Sequence, residues 1–284
     1  MAKPLIRGAR PGHVPGRGEL NKTREGIIQY FIILHGVFFL MLFPRYALPF
    51  AGALALCALV SLSAQAADTE TTLRQSLEKA MPGLPVSKVT AAPVSGLYEV
   101  QAGPEIFYAT TDGRYVFTGN LIDLSTRQNL TENVRATQRV ELLKTLPAEK
   151  LLVYPAKGTR KHVLTILTDH TCPYCRKLHA EVPALNEAGV EVRYLLTPRA
   201  GADSPAYKDS ESILCAADKR EAMDKAMSGQ SVVAKSCADT PLPAYMGMAE
   251  QMGMSGTPFI VTDTGQVVPG YRPAKDLVRM LEGK

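Results

Sequence analysis

The first regularly patterned part of the chain changes from helical to strand-like spacing. Leu73, Leu77 and Ala80 recur at intervals of four and three, which predicts a short helix over residues 69–80. Four short β-type runs follow, at residues 86–89, 97–100, 106–109 and 115–117. A unit this small buries little apolar surface, so we expect it to pair with a partner, most simply a second copy.

A longer helical pattern separates this region from the rest of the chain. Val134, Val140 and Leu143 recur at helical intervals over residues 131–146, and Pro147 ends the helix. Because the hydrophobic pattern differs on its two sides, we interpret it as a connecting helix. The alternative is an ordinary core helix within a single domain.

After residue 161, strand and helix patterns alternate. The predicted elements are a strand at 162–168, a helix at 172–187, a strand at 190–196, helical stretches at 210–227 and 243–252, hairpin strands at 259–262 and 266–268, and a helix at 273–281. This order, with a helical insertion after the second strand, is that of the thioredoxin fold. The predicted class is α+β: a small N-terminal α+β domain, a linker helix and a C-terminal thioredoxin-like domain with a helical insertion.

The candidate chemistry lies at Cys172-Pro173-Tyr174-Cys175, between the first strand of this region and its helix. Two thiols three residues apart on a helix are neighbours at a Cα spacing of about 5 to 6 Å, which suits a reversible disulfide. Cys172 also lies at the helix start, where free N–H groups and the helix dipole favour an anion. We therefore predict redox chemistry in which Cys172 ionises easily and Cys175, one turn into the helix, is the resolving partner.

Zinc is the main alternative for a Cys-X-X-Cys pair. A structural zinc ion needs four ligands, usually as two close pairs. The other two thiols of this region, Cys215 and Cys237, are 22 residues apart, and His170 and His179 do not have a standard finger spacing. We therefore predict neither a metal nor any other cofactor.

The formal net charge of +5 arises at the N-terminal end. Residues 1–66 carry seven basic and two acidic side chains, which leaves 25 of each sign in residues 67–284. No stripe of Lys and Arg with interleaved aromatic residues follows residue 66. The sequence therefore predicts no nucleic-acid partner.

Residues 45–66 have the pattern of a secretory signal peptide: Arg45, an apolar stretch and a small-residue ending at Ala66. Cleavage there would leave four cysteines in the exported chain, an even number that suits disulfides in an oxidising compartment. A second apolar run at residues 27–43 is short for a membrane span. We favour a translation start at Met41; the alternative is a genuine membrane anchor.

Four stretches of the chain carry a resemblance to a known family. They are residues 168–179 around the dithiol, Cys215 with Cys237, Gly253-Met254-Ser255-Gly256-Thr257-Pro258, and Val268-Pro269-Gly270-Tyr271. Through them, nearly all of residues 67–284 resembles the periplasmic thiol:disulfide interchange proteins of the DsbC type.

The resemblance implies a homodimer, joined through a cystatin-like N-terminal domain, with two active sites that face a shared cleft for unfolded protein. The implied domains are 1–66 for the N-terminal extension and signal peptide, 67–128 for dimerisation, 129–150 for the linker helix and 151–284 for the thioredoxin-like catalytic domain. It also implies a periplasmic location, misfolded or wrongly disulfide-bonded exported proteins as substrates, and a DsbD-type membrane electron donor that keeps the dithiol reduced.

The resemblance also implies roles for individual residues of the site. Cys172 is expected to be the exposed attacking thiol. Thr257-Pro258 is expected to be a cis peptide beside the dithiol. Pro173, Tyr174, Thr257 and Pro258 are expected to modulate the site or to bind substrate.

Four further residues have weaker signals. Cys215 and Cys237 are expected to form a structural disulfide, worth about 3 kcal/mol on the chain-entropy model; the alternative is a pair of reduced buried thiols. For His179 we favour an ordinary polar or packing role over tuning of the thiolate. Asp169 is interpreted as a strand-end or turn residue rather than a proton carrier.

The predicted function is isomerisation of incorrect disulfides through a mixed-disulfide intermediate. Pro173 occupies a position that is usually glycine in the DsbC type, whereas Cys-Pro-Tyr-Cys is usual in the related DsbG type. The closest alternative is therefore a DsbG-like reductase of sulfenylated single cysteines with chaperone activity. The alternative from another class is a chaperone or dimeric binding module whose cysteines are purely structural.

Overall fold

The computed structural model describes residues 68–283. The signal peptide, the start at Met41 and the membrane-anchor alternative lie outside the described residues. Within residues 68–283, no helix is both long enough and apolar enough to cross a bilayer.

The N-terminal part is an antiparallel sheet packed against one helix. It comprises helix α1 (residues 68–80) and strands β1 (Val86–Ala91), β2 (Leu97–Ala102), β3 (Glu105–Thr110) and β4 (Val116–Thr118), in the spatial order β1-β2-β3-β4. Leu73 and Leu77 of α1 pack with Val89, Val100 and Phe107 of the sheet in a small apolar core. The predicted helix and all four predicted strands are confirmed.

The helix predicted as a connection is attached to both sheets. A short hairpin, β5 (Ile122–Asp123) and β6 (Gln128–Asn129), leads into helix α2 (Leu130–Lys144). At its start, Thr131 Oγ1 lies 2.5 Å from the Tyr108 hydroxyl oxygen of β3. At its end, Leu142 and Leu143 pack against the core of the C-terminal sheet. The helix therefore connects the two regions, as predicted.

The C-terminal part has the predicted thioredoxin arrangement. Its strands are β7 (Leu152–Tyr154), β8 (His162–Thr168), β9 (Val190–Leu196), β10 (Phe259–Thr262) and β11 (Val267–Pro269), and its helices are α3 (Pro173–Ala180), α4 (Val182–Glu187), α5 (Pro205–Cys215), α6 (Lys219–Met227), α7 (Leu242–Gln251) and α8 (Ala274–Leu281). The strand order is β11-β10-β8-β9-β7, in which β8 and β9 are parallel. The other neighbouring pairs are antiparallel.

Two helices predicted as continuous are each divided in the structure, so those predictions were wrong in their bounds. The helix that follows the dithiol breaks at Glu181, because Pro183 has no N–H and its ring would clash with the preceding turn. The first insertion helix starts earlier, at Ser204, whose hydroxyl accepts a hydrogen bond from the Tyr207 N–H. A new helix then starts at Asp218, which caps α6.

The β10–β11 hairpin touches helix α2 at Gly265. This glycine has a φ of +81°, and a Cβ on it would lie 2.0 Å from the carbonyl oxygen of Ala136. Arg139 Nη1 of the same helix donates to the Gly265 carbonyl at 3.0 Å. The two backbones are therefore in direct contact, at a distance that only glycine permits.

Candidate active site

The dithiol lies where strand β8 ends and helix α3 begins. Cys172 is the N-cap residue, and Pro173 takes the first helical position, where no N–H is needed. The Cys172 N–H donates to the Asp169 carbonyl at 2.9 Å, and the Cys172 carbonyl accepts from the Arg176 N–H at 3.1 Å. Hydrogen bonds therefore hold the backbone of Cys172 at both its N–H and its carbonyl group.

Cys172 is only 2% exposed, and its Sγ donates to the Thr257 carbonyl at 3.4 Å. The expectation that the Cys172 thiol is exposed is therefore wrong, because the loop that carries the cis Thr257–Pro258 peptide lies against the sulfur. Burial raises the pKa of the Cys172 thiol, but hydrogen bonds from the side chains of Thr257 and Cys175 and from the N–H groups of Cys175 and Tyr174 outweigh it. The net pKa lies below the ordinary value, which favours the thiolate.

Cys175 has the opposite electrostatic environment. It is 1% exposed, and burial raises the pKa of its thiol to about 11. Hydrogen bonds from the Asp169 backbone and from the side chains of Thr168 and Thr257 offset only part of that rise. The two thiols of one helix turn are therefore displaced in opposite directions, towards thiolate at Cys172 and towards neutral thiol at Cys175.

Two threonine hydroxyl groups near the dithiol are available to donate a hydrogen bond to a thiolate. Thr168 Oγ1 and Thr257 Oγ1 are buried and have no hydrogen-bond partner among residues 68–283 while both thiols are neutral. A hydroxyl hydrogen rotates to suit its acceptor, and a bond to an ionised sulfur is stronger than one to a neutral group. Thr257 can therefore stabilise a thiolate on either cysteine, and Thr168 can stabilise one on Cys175. The sequence analysis assigned no role to Thr168.

Asp169 is a turn residue, as interpreted from the sequence, and its buried carboxylate also forms an ion pair with Arg199, whose side chain is 46% exposed. Its Oδ1 accepts from the N–H and the hydroxyl of Thr171 at 2.8 and 2.6 Å, and its Oδ2 accepts from the N–H and Nε of Arg199 at 3.1 Å each. Burial raises the pKa of Asp169, but these four hydrogen bonds outweigh it and hold the pKa below its ordinary value. The pair therefore fixes the loop that leads into the dithiol.

The sequence analysis missed Arg199, although a signal was available. Arg199 follows the end of β9, and Asp169 follows the end of β8. Because β8 and β9 are parallel, their carboxyl ends meet at one edge of the sheet. Polar residues that follow parallel strands are therefore expected to be neighbours.

An aromatic surface lies beside the dithiol. Tyr174 is 62% exposed and stacks on Tyr271, with ring centroids 6.4 Å apart. Lys177 Nζ lies 4.5 Å from the centroid of the Tyr271 ring. Pro258, which follows the cis peptide bond, is buried, and its carbonyl accepts from the N–H of Gly270, the residue before Tyr271, at 3.1 Å. Tyr271 was part of the resemblance, but its contact with the Cys-X-X-Cys motif was not predicted.

His179 has polar partners that the sequence did not identify. Its Nδ1 lies 3.1 Å from the hydroxyl oxygen of Tyr194, and its Nε2 lies 3.0 Å from Asp224 Oδ1. Both ring nitrogens are therefore engaged away from Cys172, in agreement with the polar or packing role favoured above.

The remaining two cysteines are joined to each other. Cys215, the last residue of α5, forms a disulfide with Cys237 in the loop before α7, whereas Cys172 and Cys175 are free thiols. In the part of the chain that the structure describes, no three or more His, Cys, Asp or Glu side chains are grouped as metal ligands.

Two family models match the chain. The model described as "Disulfide bond isomerase protein N-terminal domain" matches residues 63–132, and the model described as "Thioredoxin-like domain" matches residues 153–283. Both halves of the fold described above therefore fall within known sequence families.

Curated relatives and a solved structure are similar to the chain. It is 38% identical to thiol:disulfide interchange protein DsbC of Escherichia coli (strain K12), over 79% of this chain and 92% of that protein. It is also 38% identical to the DsbC protein of Dickeya dadantii (strain 3937), over 78% and 91%. A disulfide interchange protein from Neisseria gonorrhoeae is 25% identical in its crystal structure, which covers 48% of this chain and 99% of that one with a TM-score of 0.43. The two DsbC proteins are 38% identical to the chain and are covered over 92% and 91% of their length. The chain therefore belongs to the DsbC family of thiol:disulfide interchange proteins.

Proposed function

We propose that the protein is a periplasmic disulfide isomerase and reductase in which Cys172 attacks wrongly paired disulfides and Cys175 resolves the complex. The observation that carries the proposal is the opposite displacement of the two thiol pKa values within one helix turn. Attack requires a thiolate, which the environment of Cys172 favours. Resolution is the second step, and the raised pKa of Cys175 keeps this thiol neutral while Cys172 attacks the client.

The reaction proceeds by two exchanges. The Cys172 thiolate attacks one sulfur of the client disulfide, so a Cys172–client bond forms and the other client sulfur leaves as a thiolate. That thiolate can attack another disulfide of the client, and the client thiolate released there then attacks the mixed disulfide; a new client disulfide forms and Cys172 leaves as a thiolate, which is isomerisation. Alternatively, Cys175 attacks Cys172, the enzyme becomes the Cys172–Cys175 disulfide and the client disulfide is reduced to two thiols.

The test uses a scrambled multi-disulfide protein and two matched variants. Cys172→Ala is expected to abolish recovery of the native client, because no attacking sulfur remains. Cys175→Ala is expected to retain attack and to accumulate the mixed disulfide, detected by non-reducing electrophoresis after acid trapping. Full recovery with Cys172→Ala would refute the assignment, and it is also the result expected if the cysteines were purely structural.

Pro173 favours a second function, reduction of single sulfenylated cysteines with chaperone activity. It takes the first helical position, directly after the attacking thiol. Here Cys172 attacks the sulfenic sulfur, the mixed disulfide forms with loss of water, and Cys175 then releases the reduced client. Comparing rates on a sulfenylated protein and on scrambled disulfides, for the native chain and for Pro173→Gly, distinguishes the two functions. The second function predicts the faster rate on the sulfenylated protein and a shift towards scrambled disulfides in Pro173→Gly.

A homodimer through residues 67–128 is supported by exposed apolar side chains on the N-terminal sheet. Tyr115, Val116 and Phe117, at the edge strand β4, are 56, 47 and 51% exposed. An apolar edge strand is a site for pairing with another chain. Phe117→Glu is expected to give monomers in sedimentation experiments, whereas the control Val233→Glu, at an 86% exposed position of the insertion, is expected to leave the dimer intact.

The remaining assignments follow from family membership and the sequence. Residues 1–66 are proposed as the extension and signal peptide, 129–150 as the linker and 151–284 as the catalytic domain. The exported protein is then expected to begin near Ala67, which N-terminal sequencing checks. A DsbD-type membrane donor is proposed to keep the dithiol reduced; without the donor, acid-trapped protein is expected to accumulate with Cys172 oxidised.

A further inference from the structure

A chain of hydrogen-bonded polar side chains runs from the core to the surface on the helix that carries the resolving cysteine. The Tyr194 hydroxyl oxygen lies 3.1 Å from His179 Nδ1, and His179 Nε2 lies 3.0 Å from Asp224 Oδ1. Tyr154 donates from its own hydroxyl to the same Asp224 oxygen at 2.6 Å. The chain runs from Tyr194, which is fully buried, to Asp224, whose side chain is 56% exposed.

The direction of these hydrogen bonds follows from the donor and acceptor properties of the groups. An ionised Asp224 only accepts, so His179 carries its hydrogen on Nε2. Nδ1 of the neutral ring is then an acceptor, and the Tyr194 hydroxyl must donate to it. The Tyr194 oxygen retains free lone pairs, so it can itself accept a proton from a neighbouring group.

Cys175 lies at the inner end of this chain. It precedes His179 by four residues on α3, so both side chains lie on one helix face. Cys175 and Tyr194 are buried in the same core cluster. Burial raises the pKa of Tyr194, and the charge of Cys175 raises it further. No direct hydrogen bond joins them, so the transfer needs a small approach or a bridging water.

His179 has the properties of a proton acceptor. Burial lowers the pKa of its imidazole, although the nearby Asp224 carboxylate opposes that change. The ring is therefore neutral near neutral pH, and the carboxylate can stabilise the cation that forms when the ring takes up a proton.

We propose that Tyr194, His179 and Asp224 form a path that takes the proton from Cys175 when this residue resolves the mixed disulfide. The inference rests on the proposed function, since only a resolving thiol must lose its proton at this stage. The Cys175 proton moves to the Tyr194 oxygen as the Tyr194 proton moves to His179 Nδ1, which gives an imidazolium ion beside Asp224. The Cys175 thiolate then attacks Cys172, the Cys172–Cys175 bond forms, and the client sulfur leaves as a thiolate.

Other titratable groups that face these residues do not serve the same purpose. The Cys172 sulfur is held in the mixed disulfide at this stage. Arg199, whose pKa is raised by its hydrogen bond to Asp169 and by the charge of that carboxylate, is already protonated. The Asp169 carboxylate is itself occupied by four hydrogen bonds from Thr171 and Arg199. Tyr154 packs edge-on against the His179 and Tyr194 rings and donates to Asp224, so it orients the outer end of the path.

The test follows the reaction of the reduced protein with an aromatic disulfide that releases a coloured thiolate. The first release reports the attack of Cys172, and the second reports the displacement by Cys175. Tyr194→Phe breaks the path but keeps the ring, and His179→Gln keeps hydrogen-bonding groups but cannot hold the proton. The control is Tyr245→Phe, which removes a buried hydroxyl that donates to the Lys150 carbonyl and is not part of the proposed path.

The expected result is specific to the second release. In both path variants it slows about tenfold or more at about pH 7, and the deficit shrinks as the pH rises towards the thiol pKa. The first release and the control are expected to stay within about twofold of the native rate. A second release slowed no more than in the control, or slowed equally at every pH, overturns the path. Loss of the first release in the native protein would instead overturn the proposed function.

Discussion

The contact between Gly265 and helix α2 makes a prediction whose size follows from the structure. In Gly265→Ala, the new Cβ would lie 2.0 Å from the Ala136 carbonyl oxygen and 2.7 Å from its carbon. The optimal separation of non-bonded heavy atoms is about 3.5 Å, so the helix and the hairpin must move apart by about 1.5 Å. That movement breaks the hydrogen bond from Arg139 to the Gly265 carbonyl, which is 3.0 Å long in the native protein.

Two costs add in this variant. A left-handed backbone at alanine costs about 1 kcal/mol. Loss of a buried hydrogen bond from a charged donor costs about 2 kcal/mol. We therefore expect Gly265→Ala to lower the free energy of unfolding by about 3 kcal/mol, measured by urea titration with far-ultraviolet circular dichroism.

Gly201→Ala is the matched control. Gly201 has a nearly equal φ of +83°, but nothing lies within 4 Å of a Cβ there. It therefore carries the conformational cost alone, about 1 kcal/mol. If the two variants lose equal stability, the backbone contact between α2 and the hairpin does not have the importance assigned to it.

Three further predictions concern the site and its supports. The alkylation rate of Cys172 is expected to rise with an inflection below about pH 8.5, the value for a free thiol, whereas Cys175, measured in Cys172→Ser, is expected to stay nearly inert until the pH approaches about 11. Asp169→Asn is expected to cost about 2 kcal/mol of unfolding free energy in urea titration, because at least two of its four hydrogen bonds are lost. That deficit is expected to shrink as the pH falls below about 4, since a carboxyl with a lowered pKa stabilises the fold only while it is ionised. Glu181→Gln is expected to cost about 0.5 to 1 kcal/mol in the same titration, because Glu181 Oε2 accepts from the Ala274 N–H at 2.6 Å and so caps helix α8.

Two exposed acidic residues serve as controls for these substitutions. The side chain of Asp239 is 81% exposed and forms an ion pair with Lys150. The side chain of Glu187 is 62% exposed and forms an ion pair with Lys157. Surface ion pairs contribute little, so Asp239→Asn and Glu187→Gln are expected to cost less than about 0.5 kcal/mol. Equal losses at the controls would contradict the roles of Asp169 and Glu181. An equal pH dependence of the two thiols would contradict their assigned difference.

The buried central strands could be predicted from the sequence because their signal is local. The runs at 162–168 and 190–196 are apolar, short and bounded by turn residues, and the structure places β8 and β9 at these residues. The start of α5 also had a local signal, Ser204 followed by Pro205, which is typical of a helix N-terminus. That signal was not used, so the helix was predicted to begin five residues too late.

The supports of the dithiol could not be predicted in the same way. Asp224 is 45 residues from His179 in the chain, and Tyr194 is 15 residues away. Their contact depends on how α6 and β9 pack against α3, which no short-range pattern specifies. The burial of Cys172 depends likewise on a loop 85 residues further along the chain. The chemistry of the motif was therefore predictable from the motif itself, whereas its accessibility was not.

The near-complete enclosure of Cys172 limits which clients the protein can serve. In-line exchange requires three sulfur atoms to align, so the client must bring its disulfide to a sulfur that is only 2% exposed and lies against the Thr257 carbonyl. A disulfide in a mobile or unfolded segment can reach such a sulfur, whereas one packed inside a finished fold cannot. We therefore expect the protein to act on disulfides of unfinished chains in preference to those of correctly folded proteins.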